Sequence, residues 1–207
     1  QNTKLSLAQK LTYDKQFDGL IQLAKEDGSG LHGNVWCALD VSGSMTWETL
    51  DNKGTRPYDV CLALGIYFST LNEGAFHKNV VAFSDNSKDV QLSGSFTDMV
   101  HQIKRTGGWG STNFQSVIDL MITIRQKSPH IPLSDYPQTL LVISDMQFNP
   151  AYGNKKTNYE TMIRRLSLYF PKEFVENFRV IWWWVTGRAS DFPSTATDNA
   201  DFNELSL

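Results

Sequence analysis

The sequence is poor in cysteine, with only Cys37 and Cys61 among its 207 residues. Small secreted domains that are held together by disulfides use cysteine far more densely, so this composition argues against a disulfide framework. Cys37 lies in an apolar segment with the pattern of a strand, and Cys61 lies in one with the pattern of a helix. We therefore expect two buried free thiols and a cytoplasmic protein in a reducing compartment.

Long apolar runs and an excess of basic residues are also missing. No run is long enough to span a bilayer, so we expect no membrane partner. The formal net charge of -3 argues against a large basic nucleic-acid surface on this segment. The four histidines are scattered and form no zinc-site pattern with the cysteines. The chain begins with Gln1, and we expect it to be a piece of a longer protein.

Apolar segments with strand and helix patterns alternate along the chain, which is typical of an open, mostly parallel α/β sheet with helices on both faces. Only residues 85–88 separate the second and third strands, too few for a parallel crossover, so this pair is predicted to be an antiparallel hairpin at one edge. The predicted strands are about 35–40, 79–84, 89–92, 138–144 and 179–185, and the predicted helices are 3–26, 57–72, 96–103, 114–122 and 157–170.

Three segments follow from these patterns. Residues 1–30 are an N-terminal helix or the end of a preceding domain, residues 31–190 are the α/β domain, and residues 191–207 are a polar tail with little periodicity. Within the domain, Trp182, Trp183 and Trp184 lie on one strand, where neighbouring side chains point to opposite faces. We therefore interpret them as sheet core rather than as a platform for stacking bases.

The most informative stretch is the first buried strand, which ends in Asp40-x-Ser42-x-Ser44. In an extended segment these three oxygen-bearing side chains point to the same side, and Gly43 allows the backbone to turn as it leaves the sheet. The motif alone is also compatible with a helix N-cap, since Asp and Ser serve that purpose well. One carboxylate and two hydroxyls are otherwise the outline of a site for a hard cation.

Two later loops complete that outline. Thr112 ends a glycine-rich loop, and Asp145 follows directly after a buried strand. Ligands of open α/β sheets lie beyond the carboxyl ends of the strands, where such loops converge. Asp40, Ser42, Ser44, Thr112 and Asp145 are all oxygen ligands, which suit Mg²⁺ or Mn²⁺, with Ca²⁺ as a further candidate. Thr112 as a simple N-cap and Asp145 as a simple turn residue are the alternatives.

These three pieces, in this order, resemble the von Willebrand factor A (vWA) domain with its metal-ion-dependent adhesion site, over about residues 33–187. The first motif is a full match. The second has Asn113 where the family often has Asp, and the third lacks the usual Gly after its Asp. The resemblance implies a Rossmann-like fold with one antiparallel edge strand, and it implies a further strand and a closing helix that residues 199–207 do not clearly predict.

The resemblance also implies roles for the residues. Ser42, Ser44 and Thr112 are expected to bind the metal directly, and Asp40 and Asp145 are expected to act directly or through water. A carboxylate of a protein partner completes the coordination in the family. Trp109 and Asn113, in the second loop, are the expected ligand-contact residues.

Ser-Asp-Met-Gln-Phe at 144–148 and Val-Ile-Trp-Trp-Trp-Val at 180–185 are most similar to the intracellular, Ro/TROVE-related A domains of uncharacterised bacterial, viral and plant proteins. In the Ro ribonucleoprotein a separate helical-repeat region binds RNA. The resemblance therefore leaves a second hypothesis, a module of an RNA-handling assembly whose RNA is bound by other parts of a larger protein.

A metal-dependent hydrolase is the third hypothesis. Phosphoaspartyl enzymes place a second acid two residues after the nucleophilic Asp, and here that position is Ser42. No Walker-type phosphate loop occurs, and a Ser nucleophile has no neighbouring His base in the pattern. We therefore expect a Mg²⁺-dependent or Mn²⁺-dependent binding module and not an enzyme.

Overall fold

The structure is a computed structural model and describes residues 5–28, 34–47, 49–108, 110–149 and 157–186, together with the backbone of 200–204. Six α-helices and six strands lie in these ranges. The strands are β1 (Val35–Asp40), β2 (Asn79–Phe83), β3 (Ser87–Gln91), β4 (Thr139–Ser144), β5 (Arg179–Trp184) and β6 (Ala200–Glu204). The helices are α1 (Leu7–Glu26), α2 (Pro57–Leu71), α3 (Phe96–Lys104), α4 (Gln115–Lys127), α5 (Asn158–Leu166) and α6 (Lys172–Asn177).

One sheet contains all six of these strands, in the order β3-β2-β1-β4-β5-β6. Strand β1 is parallel to both of its neighbours, with Leu39 opposite Ile143 of β4 and Asp40 opposite Phe83 of β2. Among the described strands only the β2–β3 pair is antiparallel, and it lies at the edge. The predicted fold class, a mostly parallel α/β sheet with one antiparallel edge strand, is therefore confirmed.

Local signals explain where the helices begin. Capping boxes, in which a side chain at each end of the first turn satisfies a free backbone N–H, start α1 at Ser6, α3 at Ser95 and α5 at Thr157. Helix α2 instead has Pro57 in its first turn, where the missing N–H costs nothing. These signals fix the residue at which each of the four helices begins.

The sheet separates two apolar cores, as expected for helices on both faces. One core contains Trp36 and Trp182, and the other contains Cys37 and Leu39. Trp183 packs against the second core while Trp182 is fully buried in the first, so neighbouring tryptophans do point to opposite faces. Both cysteines are buried and free, as predicted.

Helix α1 belongs to the same body as the rest of the described chain. Its buried residues Phe17, Ile21 and Ala24 are part of the core that also contains Leu39, and the Phe17 ring stacks on Phe96 of α3. None of the helices in the described ranges combines the length and apolarity needed to cross a membrane.

Two differences from the sequence-based expectation have simple causes. The helix predicted over residues 157–170 is shorter in the structure, because the chain turns after Leu166 at the end of α5, and α6, which was not predicted, begins behind Pro171. Phe170 is buried between α5 and α6. Because it lies four residues after Leu166, its apolar side chain fits the spacing of a helix that in fact ends earlier. The tail, for which no strand was predicted, contains β6 paired in parallel with β5; its sequence Ala-Asp-Phe-Asn-Glu is too polar to indicate a strand.

The close approach of α2 to β1 leads to the first prediction. A Cβ atom at Gly65 would lie 2.2 Å from Cδ2 of the fully buried Leu39, whereas a Cβ atom at Gly19 in α1 would meet nothing within 4 Å. We expect Gly65→Ala to lower the free energy of unfolding by about 1–3 kcal/mol through overpacking. Gly19→Ala should raise it by about 0.5–1 kcal/mol. Urea denaturation of both variants measures the two effects, and equal midpoints would contradict the proposed packing constraint.

Candidate metal centre

The two predicted acidic residues lie at the carboxyl ends of adjacent parallel strands. Asp40 is the last residue of β1, and Asp145 follows directly after β4. The Ser144 hydroxyl joins the two strand ends by donating a hydrogen bond of 2.5 Å to Asp40 Oδ2. Both acidic side chains are buried, with exposed fractions of 0% and 1%. The pairing of β1 with β4 thus brings two carboxylates together below the surface.

The first loop places its hydroxyls beside Asp40. The Ser42 backbone N–H donates to Asp40 Oδ1 at 2.9 Å, and the Ser42 and Ser44 hydroxyl oxygens lie 3.1 Å apart. A single 3-10 turn, Ser44–Thr46, follows and turns the chain away from the sheet. The structure therefore brings the three residues of the first motif together, as the sequence predicted.

The second loop is attached to both of the others. The Gly43 N–H donates to the Gly110 carbonyl at 3.3 Å, and the Asn149 N–H donates to the Thr112 carbonyl at 2.9 Å. Thr112 is only 3% exposed. Main-chain hydrogen bonds thus bring the Thr112 loop against the loops that carry Ser42 and Asp145.

Of the two expected ligand-contact residues, Trp109 and Asn113, the structure describes only Asn113. Trp109 lies outside the described residues. Asn113 faces the turn between β2 and β3, since its N–H donates to the Ser84 carbonyl at 2.8 Å and its side-chain amide donates to the Asp85 carbonyl at 3.1 Å. These contacts give Asn113 a part in holding the second loop against that turn.

The third loop has an unusual backbone where the resembled family has glycine. Met146 has a φ of 63°, in the left-handed region that long side chains rarely adopt. Its N–H donates to the Ser144 hydroxyl at 2.9 Å, and its side chain is buried. The next N–H, that of Gln147, donates to Asp145 Oδ1 at 3.1 Å. These contacts hold the loop in shape without a glycine.

The burial of the two acidic residues makes the site electrostatically costly. The pKa of Asp40 is raised to about 7, chiefly by burial and with a smaller contribution from the nearby Asp145 charge, while the hydrogen bonds from Ser144 and Ser42 oppose the rise. Two carboxylates in one low-dielectric place repel each other unless a positive charge lies between them. The site therefore has the charge balance of a cation site.

The donor atoms fit a hard divalent cation. Asp145 uses only Oδ1 toward the described residues, so Oδ2 remains as an acceptor. The described ranges contain no group of three or more His, Cys, Asp or Glu side chains that could hold a metal. Hydroxyl groups would therefore have to supply most of the ligands here, and oxygen ligands of this kind suit Mg²⁺ or Mn²⁺. Ser42, Ser44 and Thr112 are the residues that provide them.

Ser144 and Asp85 were not among the site residues predicted from the sequence. Ser144 ends the apolar strand β4 directly before Asp145, and that position was a usable signal. Asp85 accepts hydrogen bonds from the Ser111 N–H at 2.9 Å and the Ser111 hydroxyl at 2.5 Å, and it lies so near Gly110 that a Cβ there would be 1.9 Å from its Oδ2. No sequence spacing predicts that contact, because it joins residues 26 positions apart.

Comparison with known proteins places this geometry in a family. The family model described as domain of unknown function DUF7788 matches residues 35–201, which include β1 to β5 and all three loops. Uncharacterized protein L728 of Acanthamoeba polyphaga mimivirus is 35% identical over 127 residues, which is 58% of this chain and 20% of that protein. This chain therefore spans about a fifth of that relative's length.

A solved structure has a similar fold. The RO (RSR) protein of Deinococcus radiodurans superposes with a TM-score of 0.53 over 82% of this chain and 31% of that one, at 13% sequence identity. At this level of identity the similarity concerns the fold alone.

The bond between Ser144 and Asp40 leads to the second prediction. Ser144→Ala leaves a buried carboxylate short of a donor, which should lower the free energy of unfolding by about 1.5–3 kcal/mol in metal-free buffer. Ser69 is a matched control, because its equally buried hydroxyl donates to the neutral Ile66 carbonyl, and Ser69→Ala should cost about 1 kcal/mol. Chemical denaturation measures both, and a larger loss at Ser69 would contradict the role assigned to Ser144.

The contact of Asp85 with Ser111 leads to the third prediction. The two Ser111 donors hold the pKa of Asp85 below its usual range, so the contact should persist at neutral pH and weaken as the pH falls through that lowered value. We expect Asp85→Ala to speed hydrogen exchange at the amides of residues 110–113, because they lose their anchor. Asp135→Ala, at an exposed carboxylate before β4, should leave exchange there unchanged. Unaltered exchange in Asp85→Ala would contradict the anchoring.

Proposed function

This chain belongs to the DUF7788 family, and we propose that it is a binding module that uses Mg²⁺ or Mn²⁺ to capture an acidic group of a protein partner. The observation that carries the proposal is the convergence of three loops on two buried carboxylates. Ser144, the residue before Asp145, donates a hydrogen bond of 2.5 Å to Asp40. The hydroxyl oxygens of Ser42 and Ser44 in the first loop lie 3.1 Å apart.

The charge of such a site favours an acidic ligand. Asp40 already has hydrogen bonds at both of its oxygens, from Ser42 and Ser144, so these donors take up part of the negative charge that would otherwise balance a cation. Hydroxyl ligands add no negative charge. A cation held mainly by Ser42, Ser44 and Thr112 would therefore keep part of its positive charge, which a carboxylate from a partner would balance.

The same contacts argue for binding rather than catalysis. A carboxylate nucleophile has to reach its substrate, but Asp40 is fully buried and both of its oxygens accept hydrogen bonds. Ser42, two residues later, has no ionisable group that would act as a general acid or base at neutral pH. We therefore propose that the bound metal acts as a ligand bridge.

A role within a larger RNA-handling assembly remains the second hypothesis, and the fold shared with the RO protein is what supports it. The net charge of -3 disfavours strong RNA binding by this chain itself. On that hypothesis the module would contact a protein, and other parts of a longer chain would bind the RNA. Salt-sensitive RNA binding that survives Thr112→Ala would favour direct RNA binding by this chain instead.

Metal titration gives the fourth prediction. The wild-type chain should bind Mn²⁺ in isothermal titration calorimetry and in competition with Mg²⁺, and EDTA should reverse the binding. Thr112→Ala and Asp145→Asn should each weaken binding by at least about tenfold, because each removes an oxygen ligand or its charge. Asp135→Ala again serves as a control and should bind like the wild type.

Two results would contradict the proposal. If a folded wild-type chain binds no Mn²⁺, the proposed metal site does not exist. If Thr112→Ala and Asp145→Asn both bind Mn²⁺ as tightly as the wild type, the metal binds elsewhere on the chain. Hydrolysis of a generic phosphate ester that disappears with EDTA and with Asp40→Asn would favour the enzyme hypothesis.

A further inference from the structure

The five proposed metal-binding residues differ in their access to solvent. Asp40, Ser42, Thr112 and Asp145 are buried, with exposed fractions of 3% or less, whereas Ser44 is partly exposed. A group that approaches from solvent would therefore reach the site on the side of Ser44. What stands beside Ser44 then decides which ligands fit.

Trp47 stands there. The chain forms a single 3-10 turn after Ser44, in which the Trp47 N–H donates to the Ser44 carbonyl at 3.3 Å. Side chains three positions apart in such a turn are eclipsed, so Trp47 lies on the same side of the turn as Ser44, about 6 Å further along its axis. The backbone of the turn thus brings Trp47 close to Ser44, the partly exposed residue among the five proposed ligands.

The exposure of Trp47 has no explanation within the described part of the chain. At 81% exposed it is the most exposed large apolar side chain there. Its neighbours are well fixed: Met45 is fully buried, and the Thr46 hydroxyl donates to the Gly43 carbonyl at 2.8 Å. Exposed tryptophan on an ordered turn is typical of a contact residue, since Trp is enriched among the side chains that dominate binding energy.

We infer that Trp47 is the apolar half of the ligand site and that the partner presents a carboxylate with a large apolar side chain two residues away in sequence. This inference rests on the proposed function, because the carboxylate is assigned to the metal. Side chains two residues apart in an extended peptide point to the same face and are about 6.6 Å apart, close to the separation of about 6 Å between Ser44 and Trp47 along the turn. An acidic peptide therefore meets both groups at once, and a free carboxylate meets only the metal.

Short peptides test this inference. The probes are N-acetylated, C-amidated Gly-Asp-Gly-Phe-Gly and Gly-Phe-Gly-Asp-Gly, with Gly-Asp-Gly-Gly-Gly and Gly-Asn-Gly-Phe-Gly as references, titrated into the whole chain in Mn²⁺ or Mg²⁺ by calorimetry or NMR. We expect at least one peptide with both Asp and Phe to bind about tenfold more tightly than Gly-Asp-Gly-Gly-Gly. The Asn peptide should bind no better than buffer controls.

Variants separate the apolar contact from the metal. Trp47→Ala should remove the advantage of the peptides that contain both Asp and Phe while leaving Mn²⁺ affinity and Gly-Asp-Gly-Gly-Gly binding unchanged, and Trp47→Phe should retain most of that advantage. Leu168→Ala is the matched control, because Leu168 is 74% exposed in the turn after α5, and it should behave like the wild type.

The outcomes distinguish the two proposals. If the wild-type chain binds no Mn²⁺, the proposed function fails and this inference fails with it. If Mn²⁺ binds but Trp47→Ala keeps the full preference for Phe, or the wild type shows no such preference, only the role of Trp47 is overturned. A preference that is lost equally in Leu168→Ala would also overturn it.

Discussion

The parallel pairing of β1 with β4 is the constraint on which the site depends. It sets Leu39 opposite Ile143, so the next residues, Asp40 and Ser144, come side by side, and their hydrogen bond of 2.5 Å closes the strand ends. A slip of one residue would turn these side chains to opposite faces of the sheet. The Ser144 hydroxyl thus donates to the buried Asp40 carboxylate a hydrogen bond of the kind that water donates to an exposed carboxylate.

The surroundings of this pair are organised to protect it. The Cys61 thiol of α2 lies 3.3 Å from the Ile143 carbonyl and 3.6 Å from the Asp40 carbonyl, against the end of each strand. Gly65, one turn later, lets the same helix approach Leu39 closely. On the outer side, hydrogen bonds between the three loops exclude solvent from all of the proposed ligands except Ser44. The unfavourable free energy of burying the two carboxylates therefore arises at one place in the structure, and a cation bound there would reduce it.

Particular residues show how far sequence reasoning reached. Strands β1 and β4 were predictable because they are short, continuous apolar runs, and the β2–β3 hairpin was predictable because four residues do not allow a crossover. The convergence of Asp40, Ser42 and Ser44 followed from the alternation of side chains in an extended segment. By contrast, α5 was predicted to extend to residue 170, since Phe170 keeps an apolar spacing through the turn, and α6 was not predicted. Strand β6 was missed because pairing with β5 stabilises a sequence with almost no strand pattern of its own.

The sequence by itself determined the order of β1 to β5 and α1 to α5, the types of side chain at the strand ends, and the hard-oxygen character of the site, because these depend on local periodicity and on chemistry that each residue carries with it. Only the tertiary structure decided which groups meet. The anchoring of Ser111 by Asp85, the bond from Ser144 to Asp40, and the different exposure of Ser42, Ser44 and Trp47 depend on the approach of segments that are distant in sequence and on the solvent they exclude. No local pattern contains that information.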